Sequence, residues 1–151
     1  MPTCGKSTIG KELANHLNYT FIDIDEEIEK REGNEIKTIF ATQGEEYFRN
    51  IEEIITKEIC LRNHQIICTG GGVIKRKNNI QSLHYNGLVL FIDRNVELLF
   101  STSSRPLSSS KEAIQKLYEE RYDTYVDACD IRIDNNASIE EALNQIKEIL
   151  L

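Results

Sequence analysis

Gly5-Lys6-Ser7-Thr8 sets a flexible residue, a cation and two hydroxyls in a row at the head of a helical pattern. That order matches the second half of a phosphate-binding loop, G-x-x-x-x-G-K-[ST]. In such a loop the backbone N–H groups turn inward around phosphate oxygens, the lysine reaches the terminal phosphates and the hydroxyl holds Mg²⁺. The helix behind it directs its positive end at the anion. The first glycine of the pattern falls one position ahead of Met1, and so does the strand that usually feeds the loop. The expectation is a nucleotide site read without its entry strand.

Further groups follow in order. Asp23-Ile24-Asp25 ends a strand pattern, and a period of two sends both carboxylates to one side, at the sheet edge where α/β proteins bind ligands. One carboxylate near Mg²⁺ and one near a hydroxyl would suit phosphoryl transfer; such pairs also commonly cap the next helix. Arg49 and Glu52 are i, i+3 neighbours beside Phe48, so Glu52 can orient a guanidinium facing a cleft, or the two can form an ordinary surface pair. Gly70-Gly71-Gly72 after an apolar run suits close approach of backbone to a ligand, since three glycines cost chain entropy. Arg105 beside Pro106, and Arg121 at the border of an apolar helix face, are further cations; either can equally be a surface arginine. Cys4, beside helix amides and Lys6, is a small loop residue or a thiol of lowered pKa. His16, His64 and His84 show no metal-ligand spacing.

These groups need elements to hold them. Residues 6–17 read as a helix with Ile9, Leu13 and Leu17 on one side, and 19–23 as a strand. A short acidic helix follows over 26–31, stopped by Gly33. A long helix spans roughly 43–62 with Phe48, Ile51, Ile55 and Ile59 on one face. Residues 65–69 form a strand running into the glycines, and 88–92 form the most apolar strand, central or near-central in a parallel sheet. A short helix covers 95–101, and a polar loop covers 101–110. Ser109 with Glu112 caps a helix to about Val126. The strand 130–134 precedes a closing helix capped by Ser138 and Glu141, with Ile139, Leu143, Ile146 and Leu150 inward.

Composition narrows the class. The 151 residues, 40% hydrophobic, suit one compact domain over 1–151. A net charge of −7 argues against a nucleic-acid surface. No apolar run is long enough for a membrane span, and no signal-peptide h-region opens the chain. Cys4, Cys60, Cys68 and Cys129 form no C-x-x-C pair, so they read as reduced thiols in a cytoplasmic protein, with Cys60 and Cys68 as core filler.

Taken together the motifs resemble the shikimate kinase family. The match runs through G-K-S-T-I-G-K at 5–11, F-I-D-I-D-E-E-I-E-K-R-E-G at 21–33, I-F-A-T-Q-G-E-E-Y-F-R-N-I-E at 39–52, T-G-G-G-V at 69–73, R-P-L at 105–107 and E-R-Y-D-T-Y at 120–125. The resemblance implies a P-loop, three-layer α/β/α fold, with a five-stranded parallel sheet flanked by helices, and a short lid over about 101–112. It also implies transfer of the γ-phosphoryl of ATP to the 3-hydroxyl of shikimate by a monomer. On that pattern Thr3, Cys4, Gly5, Lys6, Ser7 and Thr8 hold ATP phosphates, Ser7 ligates Mg²⁺ and Asp23 supports the ion. Asp25 binds the substrate hydroxyls and orients or deprotonates the attacking oxygen. Arg49, Arg121 and Gly70–Gly72 line the shikimate pocket, within a substrate-binding helical region of about 24–62. Arg105 closes over the phosphates.

Departures from the family pattern are the entry strand with its glycine, the absence of an arginine in 98–103 ahead of R-P-L, and the absence of a basic residue in 133–137. Three readings follow: a shikimate kinase lacking a strand of roughly six to eight residues, a kinase of another small hydroxylated metabolite such as gluconate or a nucleotide, and a non-catalytic relic.

Overall fold

The computed structural model describes residues 1–100, 107 and 110–150. Helix α1 (Lys6–Leu17) leads to strand β1 (Thr20–Asp23), then α2 (Ile24–Glu32) and α3 (Ile36–Cys60). Strand β2 (Gln65–Cys68), α4 (Lys77–Tyr85) and β3 (Leu90–Asp93) follow, and α5 (Lys111–Ala128), β4 (Ile131–Asp134) and α6 (Ile139–Leu150) close the order. The alternation is that of an α/β protein with parallel strands.

Strands pair as β1 with β2 (Thr20 opposite Gln65, Asp23 opposite Cys68) and β3 with β4 (Leu90 opposite Ile131, Asp93 opposite Asp134), both parallel. Among the described residues no ladder joins the two pairs, which form two separate two-stranded sheets rather than one five-stranded sheet. Between them lies an apolar cleft of about 740 Å³, lined by Leu13, Ile66, Ile67, Phe91 and Ile92 among others. Protein interiors rarely contain voids much larger than a water molecule. The strand read as central, β3, therefore pairs on one side only and turns its other edge to this cleft.

Helix α1 spans the two halves. Gly10 sits so close to β1 that a methyl group there would lie 2.9 Å from Phe21, while Ile9 and Leu13 join the cluster of Phe91, Ile92, Ile133 and Ile146. A second cluster of Ile24, Ile28, Ile39, Phe48, Ile55 and Ile59 packs α2 on α3. Each fully buried isoleucine contributes about 1.5–3 kcal/mol.

Several elements differ from the sequence reading. Helix α3 begins at Ile36 and breaks at Gly44, whose φ of 85° and ψ of 169° lie outside the helical region; the glycine ends one helical run and lets a second begin. Helix α4 lies where the sequence reading assigns no element; buried Asn79 pins it, its Nδ2 donating to the Val73 carbonyl at 3.0 Å. Within the expected helix 95–101, the described residues 95–100 form a single 3-10 turn, Val96–Leu98. At α5 the hydroxyl of Ser110 accepts from Ala113 N; Ser109 lies outside the described residues. Leu150, expected inward, is exposed, and Ala142 takes the buried place.

Candidate active site

The loop before α1 is shaped by Gly5, whose φ of 91° is a left-handed conformation that suits glycine. Thr3 shares that region at φ 54°, and its hydroxyl donates to the Phe100 carbonyl at 3.2 Å and accepts from Phe100 N at 3.1 Å. Lys6 Nζ folds back over the loop, donating to the Met1 carbonyl at 2.7 Å and lying 3.7 Å from Cys4 Sγ. Burial, the largest single influence, pushes the Cys4 thiol up, but the charges of Lys6 and the amino terminus and the hydrogen bonds from Lys6 together hold the pKa below the ordinary value. Cys4 itself is fully buried, and Thr8 faces solvent on α1.

Ser7 Oγ lies 3.4 Å from Asp23 Oδ2, so a hydroxyl and a carboxylate face each other at the head of α1. That donor set fits a hard divalent cation, which prefers oxygen ligands. Asp23 also caps α2, its Oδ1 accepting from Asp25 N at 2.9 Å. The strand ends at Asp23, so the period-two argument does not place Asp25; the first turn of α2 does.

Asp25 meets the triple glycine. A methyl group on Gly70 would lie 2.7 Å from Asp25 Oδ1, and one on Gly72 would overlap the Arg49 guanidinium. One on Gly71 would come within 3.2 Å of Tyr125 Oη and 3.8 Å of Arg121 Nη1. The glycines are thus a floor that admits an acid and two cations at backbone distance. Tyr125 adds a hydrogen bond from its hydroxyl to the Gly71 carbonyl, 2.5 Å.

Both arginines are buried, Arg49 at 6% and Arg121 at 7% exposure. Arg49 Nη1 donates to Glu52 Oε2 at 2.7 Å, and its Nε and Nη2 reach Glu45 Oε1 at 3.3 Å. Burial raises the Glu52 carboxyl above its ordinary value, opposed by Arg49; Asp25 pushes the same way as burial and Arg121 against it. The four side chains therefore share one field. A guanidinium is a planar fork that matches a planar anion, so two of them in one pocket suit a carboxylate or phosphate ligand.

Asp25, Arg49, Glu52, Gly70–Gly72 and Arg121 line one pocket of about 70 Å³, with Pro2 of the phosphate loop and Leu107 at its rim. The 740 Å³ cleft is far larger, but its walls are mostly hydrocarbon and carry no comparable cluster of charges. The charged candidates Asp25, Arg49 and Arg121 gather in the smaller pocket, and Lys6, Gly70 and Gly71 border the larger cleft. Of the sequence candidates, Arg105 lies outside the described residues; the others named here converge around the loop and the pocket.

Two residues were not singled out from sequence. Tyr125 occurs in E-R-Y-D-T-Y, one turn after Arg121, and that spacing alone could have placed it beside the arginine. Asn135 follows β4 and is 2% exposed; its Nδ2 donates to the Cys4 carbonyl at 2.8 Å, and its backbone N donates to the Asp93 carbonyl at 2.8 Å. The only signal for it was a polar residue just beyond the carboxyl end of a strand.

Comparison with known proteins agrees with this geometry. The family described as "Shikimate kinase" matches residues 2–151. A shikimate kinase of Clostridium botulinum (strain Eklund 17B / Type B) is 47% identical over 155 residues, spanning 100% of this chain and 93% of the relative. One from Clostridium beijerinckii is 43% identical, over 100% of this chain and 91% of the relative. Among solved structures, shikimate kinase from Acinetobacter baumannii in complex with shikimate superposes with a TM-score of 0.89 at 30% identity, over 99% of this chain and 87% of that one. The Aquifex aeolicus enzyme gives a TM-score of 0.85 at 33% identity, over 97% and 90%. At these identities, and with a match along nearly its whole length, the chain belongs to the shikimate kinase family.

Proposed function

We infer that this site transfers the γ-phosphoryl group of ATP to the 3-hydroxyl of shikimate. The observation that supports it most is the meeting of Asp25, two buried guanidinium groups and the glycine floor in a pocket rimmed by Pro2 of the phosphate loop. Arg49 and Arg121 hold the substrate carboxylate, since a guanidinium fork matches a planar anion. Asp25 accepts the hydroxyl hydrogen, orients the attacking oxygen and takes its proton as the new P–O bond forms and the bond to the bridging oxygen of ADP breaks. Loop amides from Thr3 to Thr8 and the Lys6 ammonium grip the phosphates, and they stabilise charge on the transferring group without reorganising. Ser7, with Asp23 behind it, would hold Mg²⁺, which would supply charge neutralisation at the phosphates. From the R-P-L motif, Arg105 is assigned the phosphate side.

Residues 24–62 form the acceptor-binding region of a single-domain monomer working in the cytoplasm. Four free thiols and the acidic net charge support this, and no helix among the described residues is long and apolar enough to cross a membrane. Light scattering at the monomer mass of 17.4 kDa would check the oligomeric part. For the reaction, ADP release is followed with shikimate and with gluconate as acceptor. Shikimate-dependent turnover that Asp25→Asn reduces by about a hundredfold or more is expected. Turnover with gluconate and none with shikimate would overturn the assignment.

A further inference from the structure

We propose that Asn135 is a positioning residue for the nucleotide phosphates, holding the Cys4–Gly5 peptide so that the Gly5 N–H faces the ligand. The proposal rests on the phosphoryl-transfer reading and extends it to a residue outside the loop motif. Opposite a carbonyl oxygen only the NH₂ end of an asparagine amide can form a hydrogen bond, so the 2.8 Å contact from Nδ2 to the Cys4 oxygen fixes which way the side chain faces. The peptide between Cys4 and Gly5 is trans and planar, so its C=O and N–H point in opposite directions. Tying the oxygen to Asn135 therefore turns the Gly5 N–H away from β4, into the loop.

The hold is rigid on both sides. The Asn135 backbone is bonded to the end of β3 through the Asp93 carbonyl at 2.8 Å. The next residue braces the same turn: Asn136 Oδ1 accepts from Asn95 N at 2.7 Å, and Asn136 N donates to Asp134 Oδ1 at 2.9 Å. Gly5 fits over the amide without slack, since a methyl group there would lie 2.7 Å from Nδ2 and 3.0 Å from Ile139 Cδ1. A backbone donor binds an anion well only when it is aimed before the anion arrives. Asn135 supplies that aim from 131 residues away in the chain.

Asn135→Asp keeps the shape and sets an acceptor against the Cys4 oxygen, whereas Asn135→Ala only removes the bond. Affinity for ADP–Mg²⁺ and for shikimate is measured separately by calorimetry, with thermal melting as the check on folding. ADP–Mg²⁺ should bind about tenfold more weakly in Asn135→Ala, and more weakly still in Asn135→Asp, with shikimate affinity within about twofold of wild type. The ¹⁵N amide resonance of Gly5 in the wild-type chain should shift when ADP–Mg²⁺ is added; this reading does not depend on any variant folding. An unmoved Gly5 resonance in a chain that binds ADP, unchanged ADP affinity in a folded variant, or equal loss of both ligands would overturn the proposal and leave the reaction assignment standing. A wild-type chain that binds no ADP would overturn both.

Discussion

Arg49 and Glu52 are joined across 2.7 Å on one face of α3, with both side chains shut away from water. The pair points one guanidinium at the glycine floor, and this decides which half of the reaction it serves. Arg49→Ala should raise KM for shikimate by about a hundredfold, consistent with loss of a charge-assisted contact, and leave KM for ATP within about twofold. Lys6→Ala should instead abolish turnover. Steady-state kinetics with each substrate varied in turn checks the split, and equal loss of ATP affinity in both variants would contradict it.

The fit of the glycines to their charged neighbours gives a second expectation. In Gly72→Ala the new methyl group would occupy the space of the Arg49 guanidinium. Shikimate affinity should fall by about tenfold or more, because moving a binding group by about an ångström has effects of this order or larger. The melting temperature should change little. Gly33→Ala, where nothing lies within 4 Å but φ is 65°, should do the reverse, lowering stability and sparing affinity. Identical phenotypes would contradict the close-approach argument.

Glu52 makes stability depend on pH in a stated direction. Its folded pKa is raised, chiefly by burial. The folded chain therefore holds this proton to higher pH than the unfolded chain. Its contribution is fully present below the ordinary glutamate value of about 4.3 and fades as pH rises through the higher folded one. Glu52→Gln cannot titrate, so its urea midpoint relative to wild type should climb as pH is raised from about 4 to 8. A level difference across that range would rule out the raised proton affinity.

Much of the site was legible because its groups carry local signatures: the Gly5-Lys6-Ser7 run, the Asp23–Asp25 spacing, the Arg49–Glu52 helix pair and the three glycines. What escaped depends on contacts distant in sequence. Asn135 reads as an ordinary loop residue until β4 brings it under Cys4, and Asn79 falls in a stretch assigned no element until α4 sets it beneath Val73. Helix α3 reads from about residue 43 by its apolar face; in the fold it starts at Ile36 and breaks at Gly44, with Ile39 ahead of the break already in the core. The split between the strand pairs was legible only as a count of strands, since hydrogen-bond partners are a property of the assembled sheet.

The cleft between β2 and β3 gives a fourth expectation. Extending the chain ahead of Met1 by five β-branched apolar residues and a glycine should raise the melting temperature by about 10 °C or more, since several buried side chains at about 1.5–3 kcal/mol each outweigh the ordering cost. A polar extension of equal length should not. Equal melting temperatures for the two would show that the cleft does not accept a strand.

The division into two half-sheets bears on the chemistry as well. Asp25 and Gly70–Gly72 ride at the ends of β1 and β2, while Asn135 and its turn ride at the ends of β3 and β4. Helix α1 is the strut that packs on both. On the proposed reaction, the distance and angle from acceptor oxygen to phosphorus would depend on the hydrocarbon contacts of α1 around Gly10, Leu13 and Ile66. A trimmed methyl there would detune the in-line trajectory and slow turnover, although every polar group of the pocket stayed where it was.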